Sequence, residues 1–273
     1  MIPDRPKSIN LTWPAILQQV LKYGENVSPR GHATLEIPQH TAIIDMRKPV
    51  LVIPERKLST KFLGGEAFWI LSGDDRVETI APYNKNIAQF SDDGVTFYGA
   101  YGPRIMGQLD YVVNKLIEDR LTRQAFLTIW QPNPPKTKDV PCTVTCGFMI
   151  RDGELNCYVY MRSNDLWLGF PYDVFNFSML AHLICCRLNK AGIKVKPGVM
   201  YHTAASRHLY EQHFDIAREI GTKYNVIAAR LSTLDTVTTI ETPEYLYEDE
   251  EVLMNVLNDI RENGNDSRLI WWK

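Results

Sequence analysis

One Asp-Gly pair, set between two runs of alternating apolar residues, constrains this chain more than any other feature. From Cys142 the sequence places Cys142, Val144, Cys146, Phe148 and Ile150 on one side and Thr143, Thr145, Gly147 and Met149 on the other, the period-two pattern of a half-buried strand. Arg151-Asp152-Gly153-Glu154 follows, then Leu155 to Met161. Glycine takes the positive φ that a tight reversal needs, so the two runs read as a hairpin. A hairpin brings its open ends together. Cys142 is therefore expected at one rim of a sheet beside Arg162-Ser163-Asn164-Asp165, and that rim holds a thiol and a guanidinium. A positive neighbour lowers a thiol's pKa and raises its thiolate fraction.

Cysteine in an apolar strand is usually inert packing, and Cys146 and Cys157 take that reading. Cys142 differs because it follows Pro141 at the strand's beginning, where a thiol can face a cleft. Five cysteines with no CxxC pair and no apolar signal segment argue for free thiols in a reducing cytoplasm. No apolar run reaches the roughly 18 residues that span a bilayer, so a soluble protein is expected. A net charge of −2 argues against a stable nucleic-acid partner, whose footprint is a basic excess. Neither HExxH nor clustered histidines are present, and no metal is expected.

Taken in order, residues 1–11 read as a polar arm and Leu11 to Tyr23 as a helix. A loop carrying Arg30 then feeds a strand. Gly64 to Gly73 reads as a short helix with Glu66 in its first turn, where a carboxylate suits the positive dipole end. Tyr98-Gly99-Ala100-Tyr101-Gly102 reads as a turn, Ile105 to Arg120 as an amphipathic helix, and Arg123 to Trp130 as a buried strand. Val174 to Asn189 is apolar all round and reads as a central helix, with His182, Cys185 and Cys186 as packing residues. Val195 to Thr203 reads as a strand and Ser206 to Ile220 as a helix opening on Arg207-His208-Leu209-Tyr210.

Pro141-Cys142, the hairpin ending in Arg162-Ser163-Asn164-Asp165, Leu168-Gly169, Pro171 and His208-x-Tyr210 together resemble thymidylate synthase and its pyrimidine hydroxymethylase relatives. The resemblance runs from about Leu21 to beyond Tyr210. It implies an α+β fold, with a large mixed β-sheet packed with helices, one thymidylate-synthase-like domain over 1–273, and a homodimer built on a sheet face. Cys142 would be the nucleophile, with Glu66, Tyr101 and Asp165 as its catalytic company. Glu66 matches the family's glutamate through Glu66-Ala67-Phe68-Trp69-Ile70-Leu71-Ser72-Gly73. Arg30, Arg162 and Ser163, with Arg123 crossing from a second subunit, would hold a nucleotide phosphate, for which arginine's planar fork is suited. His208 and Tyr210 would bond the sugar, and Asp173 and Gly169 the base. The partners implied are a pyrimidine nucleoside monophosphate and 5,10-methylenetetrahydrofolate as cosubstrate.

Departures from the family refine the expectation. Arg30 stands one position from the family's loop arginine, and Gln124 replaces the second of two interface arginines. Ile87-Ala88-Gln89-Phe90 lies where methylating synthases carry tryptophan, and Ile270-Trp271-Trp272-Lys273 does not match their short aliphatic tail. Asp173 stands where synthases acting on dUMP carry asparagine. A carboxylate accepts from the 4-amino group of cytosine but donates to uracil O4 only when protonated, and a buried polar group left unmatched costs about 1–3 kcal/mol. The residues therefore favour 5-hydroxymethylation of a cytidine monophosphate, dCMP before CMP. Two alternatives stay open: a thymidylate synthase or dUMP hydroxymethylase, and a non-catalytic relative that only binds nucleotide or RNA.

Overall fold

The computed structural model describes residues 7–230, 240–266 and 270–272. The chain opens with α1 (Ile9–Tyr23), β1 (Glu25–Val27) and the long β2 (Thr34–Asp45), then runs through α2 (Thr60–Leu71), the one-turn α3 (Val77–Ile80) and α4 (Tyr101–Glu118). β3 (Phe126–Thr128) precedes the hairpin of β4 (Thr143–Arg151) and β5 (Glu154–Met161). After it come β6 (Asn164–Asp165), α5 (Phe170–Lys190), β7 (Lys196–Tyr210), α6 (Phe214–Arg230) and α7 (Glu250–Asn263). The sheet runs β1-β2-β7-β5-β4-β3, with β6 beside β7. β5 and β6 lie parallel to β7 and the remaining pairs are antiparallel, so this is a mixed sheet in an α+β fold.

The hairpin turns where the sequence says it should. Asp152 and Gly153 have φ of 52° and 77°, the paired positive values of the turn whose twist suits antiparallel strands. Cys146, Phe148, Leu155, Cys157 and Val159 are all buried on its inner face. Against that face lies α5, buried almost continuously from Phe170 to Leu188, packed on β5 and β7 and flanked by α2, α4 and α7. A helix that is apolar all round has nowhere else to go. His182 lies inside it, its ring nitrogens within 2.7 Å of Ser178 O and 2.9 Å of Thr242 Oγ1.

Four expectations need correction. The helix read from Ser206 starts only at Phe214, and residues 206–210 are the far end of β7. β2 decides this, because its residues 34–38 pair with 206–210 and offer the backbone a ladder that local pattern does not reveal. Residues 7–11 are no arm: Ser8 caps α1, its Oγ accepting from Asn10 N, and Ser8, Ile9 and Asn10 are buried; residues 1–6 lie outside the described set. The Arg123 to Trp130 strand is only Phe126–Thr128, an edge strand with Leu127 inward and Phe126 and Thr128 outward. Finally, α2 starts at Thr60, capped by Ser59, so Glu66 lies in its second turn and no helix dipole accounts for it. Gly64 belongs to the tightest approach in this layer: a Cβ there would sit 2.6 Å from Ile260 Cγ2 of α7, so α2 and α7 meet only because the position is glycine.

Candidate active site

β4 departs from strict alternation at its first turn inward. Thr143 pairs with Met161 and Thr145 with Tyr160, so Val144 is an extra residue, a bulge that shifts the phase of everything before it. Thr143 takes the buried position that Cys142 would have held, with no solvent exposure. Cys142 is instead half-buried and lines a cavity of about 800 Å³, a size suited to a small organic ligand. Its carbonyl accepts from Arg162 N at 2.8 Å, which closes the hairpin's open end as expected.

The same cavity collects most of the residues singled out in the sequence. Arg30, Arg162, Ser163, Asp165, Gly169, Asp173, His208 and Tyr210 line it with Cys142, Glu66 and Tyr101. Arg162 donates through Nε to Pro141 O at 3.0 Å and through Nη2 to Val140 O at 2.8 Å, so its guanidinium is held beside the segment that delivers Cys142. Arg30 sits in the left-handed region at φ 55°. His208 and Tyr210 alternate along β7 and so share a face, which two residues of a helix at that spacing would not. Asp165 uses Oδ1 to accept from Trp167 N and Leu168 N at 2.7 and 2.9 Å, fixing the turn that leads to Gly169. Arg123 is exposed and lines no part of this cavity.

At the other end lie two carboxyl groups. α5 begins at Phe170, earlier than its apolar run indicates, and Asp173 therefore stands in its first turn instead of in a loop. Asn164 Nδ2 donates to Asp173 Oδ2 at 2.7 Å. Glu66 accepts at Oε2 from Asn176 Nδ2 at 2.7 Å. Tyr101 begins α4, and its hydroxyl oxygen accepts from Thr143 N and Oγ1 at 3.1 and 3.0 Å, leaving its own proton free to donate.

Burial governs the protonation of all these groups. It lifts the Glu66 carboxyl to about 7 against the pull of Asn176. It lifts Asp173 to about 8, with Glu66 adding to the rise and Arg207 and Asn164 opposing it. Tyr101 is pushed well above its ordinary value, by burial first and then by Cys142 and Asp173. For Cys142 the expected lowering by arginine is outweighed: burial raises the thiol, Arg162 pulls it down, Asp173 and Asp139 push it up, and Arg30 pulls more weakly. An uncharged thiol is therefore the resting form at neutral pH; in the same cavity Glu66, at about 7, is partly ionised and able to take a proton, while Asp173, at about 8, is largely protonated.

A recess of about 170 Å³ adjoins the cavity through Glu66, Ile87, Phe90, Tyr101 and Asp173, and adds Trp69 and Phe97. Ile87 and Phe90 form an apolar wall where the resemblance places folate, while Asn84, Asn86 and Gln89 make the neighbouring rim polar. Trp271 and Trp272 pack on Phe175, with ring centroids 6.4 and 6.3 Å away, and line neither space. Lys273 lies outside the described residues.

Sequence reading missed Asn176, Thr143, Arg56 and Arg207. Arg56 is buried, donates through Nε to Trp167 O at 2.8 Å and lines the cavity. Nothing local marks it. Among the described residues no group of three His, Cys, Asp or Glu could hold a metal, and no helix is long and apolar enough to cross a membrane.

The thymidylate synthase family model matches residues 12–255. A deoxyuridylate hydroxymethyltransferase of Bacillus phage SP01 is 31% identical over 276 residues, covering 92% of this chain and 69% of that protein. A deoxyuridylate hydroxymethyltransferase of Pseudomonas phage M6 is 29% identical over 220 residues, covering 76% of this chain and 61% of its own length.

Proposed function

The chain belongs to the thymidylate synthase family, and from that premise we propose that it is a pyrimidine nucleotide 5-hydroxymethylase acting on a cytidine monophosphate, dCMP before CMP. The observation that carries the choice of base is a carboxyl at position 173 where an amide would suit uracil, lining the cavity together with Cys142.

C5 of a pyrimidine is not nucleophilic until something adds to C6. The Cys142 thiol, giving its proton to a base in the cavity, attacks C6, and the ring's electron pair then becomes available at C5. Covalent addition divides one hard step into two easier ones. Methylenetetrahydrofolate supplies the one-carbon unit that C5 accepts, and the family uses it as cosubstrate. Arg30, Arg162 and Ser163 hold the phosphate, with Arg123 of a second copy completing the grip in a homodimer, and His208 and Tyr210 hold the sugar. Glu66, Tyr101 and the turn fixed by Asp165 orient water and protons around the base, and the C5 proton leaves to the same network. The rest of the protein's contribution is orientation.

Water, in this reading, is the final acceptor. The polar rim of Asn84, Asn86 and Gln89 admits it, and excluding water is what protects a reactive exocyclic methylene from hydration. As the C5 proton leaves, the bond from the one-carbon unit to nitrogen breaks and tetrahydrofolate departs unoxidised; hydroxide from water then adds to the exocyclic carbon, and the returning electron pair expels the Cys142 thiolate from C6. The expected product is therefore a 5-hydroxymethyl nucleotide with no rise in dihydrofolate absorbance. A methylated product with one dihydrofolate per turnover would show that hydride reached the carbon first.

A second reading keeps the chemistry and changes the base to uracil. The two relatives are named for deoxyuridylate, and an Asp173 raised to about 8 is largely protonated at pH 7, able to donate to a 4-oxo group. Wild-type kcat/KM for dCMP, CMP and dUMP separates the two. On the cytidylate reading Asp173→Asn moves the dCMP-to-dUMP ratio toward dUMP by about 10- to 100-fold, the worth of one mismatched buried hydrogen bond. Wild-type preference for dUMP would replace the first reading by the second, and an unmoved ratio in the variant would take Asp173 out of base contact.

A further inference from the structure

Arg207 is among the largest fully buried side chains, in a position the mechanism above does not use. Among the described residues its guanidinium has no carboxylate in direct contact. Nη1 donates to Asn164 Oδ1, and Nη2 donates to His202 O at 2.8 Å and to His202 Nδ1 at 3.1 Å. The plane lies over the Phe170 ring, 4.7 Å from its centroid, and Nε has no hydrogen-bond partner among the described residues. A buried guanidinium without a bonded counter-charge is costly unless something nearby repays it. The nearest candidate is Asp173, one residue removed through Asn164.

The hydrogen-bond chemistry of this chain runs in one direction only. Arginine can donate but never accept, so the Asn164 atom facing it must be the oxygen. The amide nitrogen of Asn164 is thereby turned toward Asp173, where it donates to Oδ2 at 2.7 Å. Oδ2 is thus committed as an acceptor, and Oδ1, which bonds nothing among the described residues, is the oxygen left for the cavity. Were Asn164 to flip, its oxygen would confront Oδ2, and only a protonated Asp173 could satisfy the contact. The guanidinium also favours the ionised carboxyl by its charge. Both effects oppose the burial that raises Asp173 and favour its ionised form, in which Oδ1 accepts.

We propose that Arg207, acting through Asn164, is a positioning residue that sets Asp173 as an acceptor toward the base and so tilts recognition toward a 4-amino pyrimidine. The inference rests on the reading of Asp173 as the base contact. The Arg207-Asn164-Asp173 chain is one unit: the guanidinium fixes the Asn164 amide, the amide commits Oδ2 as an acceptor, and both favour the ionised carboxyl, whereas on a protonated Asp173 the proton would sit on Oδ1 and make it a donor.

Calorimetric titration with dCMP and dUMP in the absence of folate tests this without requiring turnover. Arg207→Met and Asn164→Ala are each expected to lower the ratio of dCMP to dUMP affinity by about tenfold, the scale of one misdirected hydrogen bond. The double variant is expected to lose no more than either single one, because both break the same chain. A general packing defect would weaken the two nucleotides alike and leave the ratio where it was. An unchanged ratio in both variants, or additive losses in the double variant, overturns the proposal. If the Arg207 variant does not fold, the Asn164→Ala ratio decides alone. Asp173→Asn measured alongside separates the two levels of argument: a shift there with none in the relay variants removes Arg207 only, whereas no shift in any variant, or wild-type protein binding neither nucleotide, removes the base-contact reading together with it.

Discussion

Cys142→Ala is expected to lose turnover by a factor on the order of 10⁴ or more, the scale seen when a covalent nucleophile is deleted, while the protein stays folded. The thiol is half-buried at the edge of the sheet, outside the close-packed interior, so its removal leaves no large void. The same variant should form no covalent adduct with a 5-fluoropyrimidine nucleotide and folate, whereas wild-type protein should gain the mass of both. Cys146→Ala is the matched control. Its sulfur is wholly buried, 3.5 Å from that of Cys157, and its loss should cost about 1 kcal/mol of packing with turnover within a few-fold of wild type. The bulge at Val144 separates these two outcomes: without it Cys142 and Cys146 would face the same way and both would be core. Substantial activity in Cys142→Ala, within tenfold of wild type, would end the covalent mechanism.

The bulge also marks the limit of what the residues disclose. Hairpin position and turn type are legible because Asp152-Gly153 and period-two alternation act locally. Which of Thr143 and Cys142 faces inward is not, since it depends on how β5 pairs across from them. The stretch 206–210 fails for the same reason at larger scale, its conformation being fixed by β2, some 170 residues earlier in the chain. Yet His208 and Tyr210 still reach the cavity, because what the sequence carries there is the identity of two side chains. Arg207 shows the reverse. Beside two site residues nothing local marks it, and only the tertiary fold shows it buried. Asp173 was visible as a residue but not as a neighbour of Glu66, because α2 and α5 meet only in three dimensions.

Glu66→Gln should cost kcat about 10²- to 10⁴-fold, the range for a positioned general acid or base, and should make the protein more stable at alkaline pH. Glutamine keeps the oxygen that accepts from Asn176 Nδ2, so the geometry of α2 against α5 is preserved and only the ionisable proton is lost. The stability sign follows from the pKa. Native Glu66 titrates near 7 against an ordinary 4.5, so between those values the native state binds more protons than the unfolded chain. Stability must then fall as pH rises through that window. The full penalty, about 3 kcal/mol for a shift of this size, is present above pH 7 and absent below about pH 4.5. Glutamine escapes it, and also relieves Asp173, whose rise owes part of its size to Glu66. Melting temperature against pH should therefore decline less for the variant than for wild type between pH 5 and 8, while kcat is poorer throughout. A glutamate serving only the helix would leave kcat intact, and one not held protonated by burial would leave the two melting curves parallel. Loss of rate together with gain of stability is the combination expected of a carboxyl kept in an unfavourable place because the chemistry needs it there.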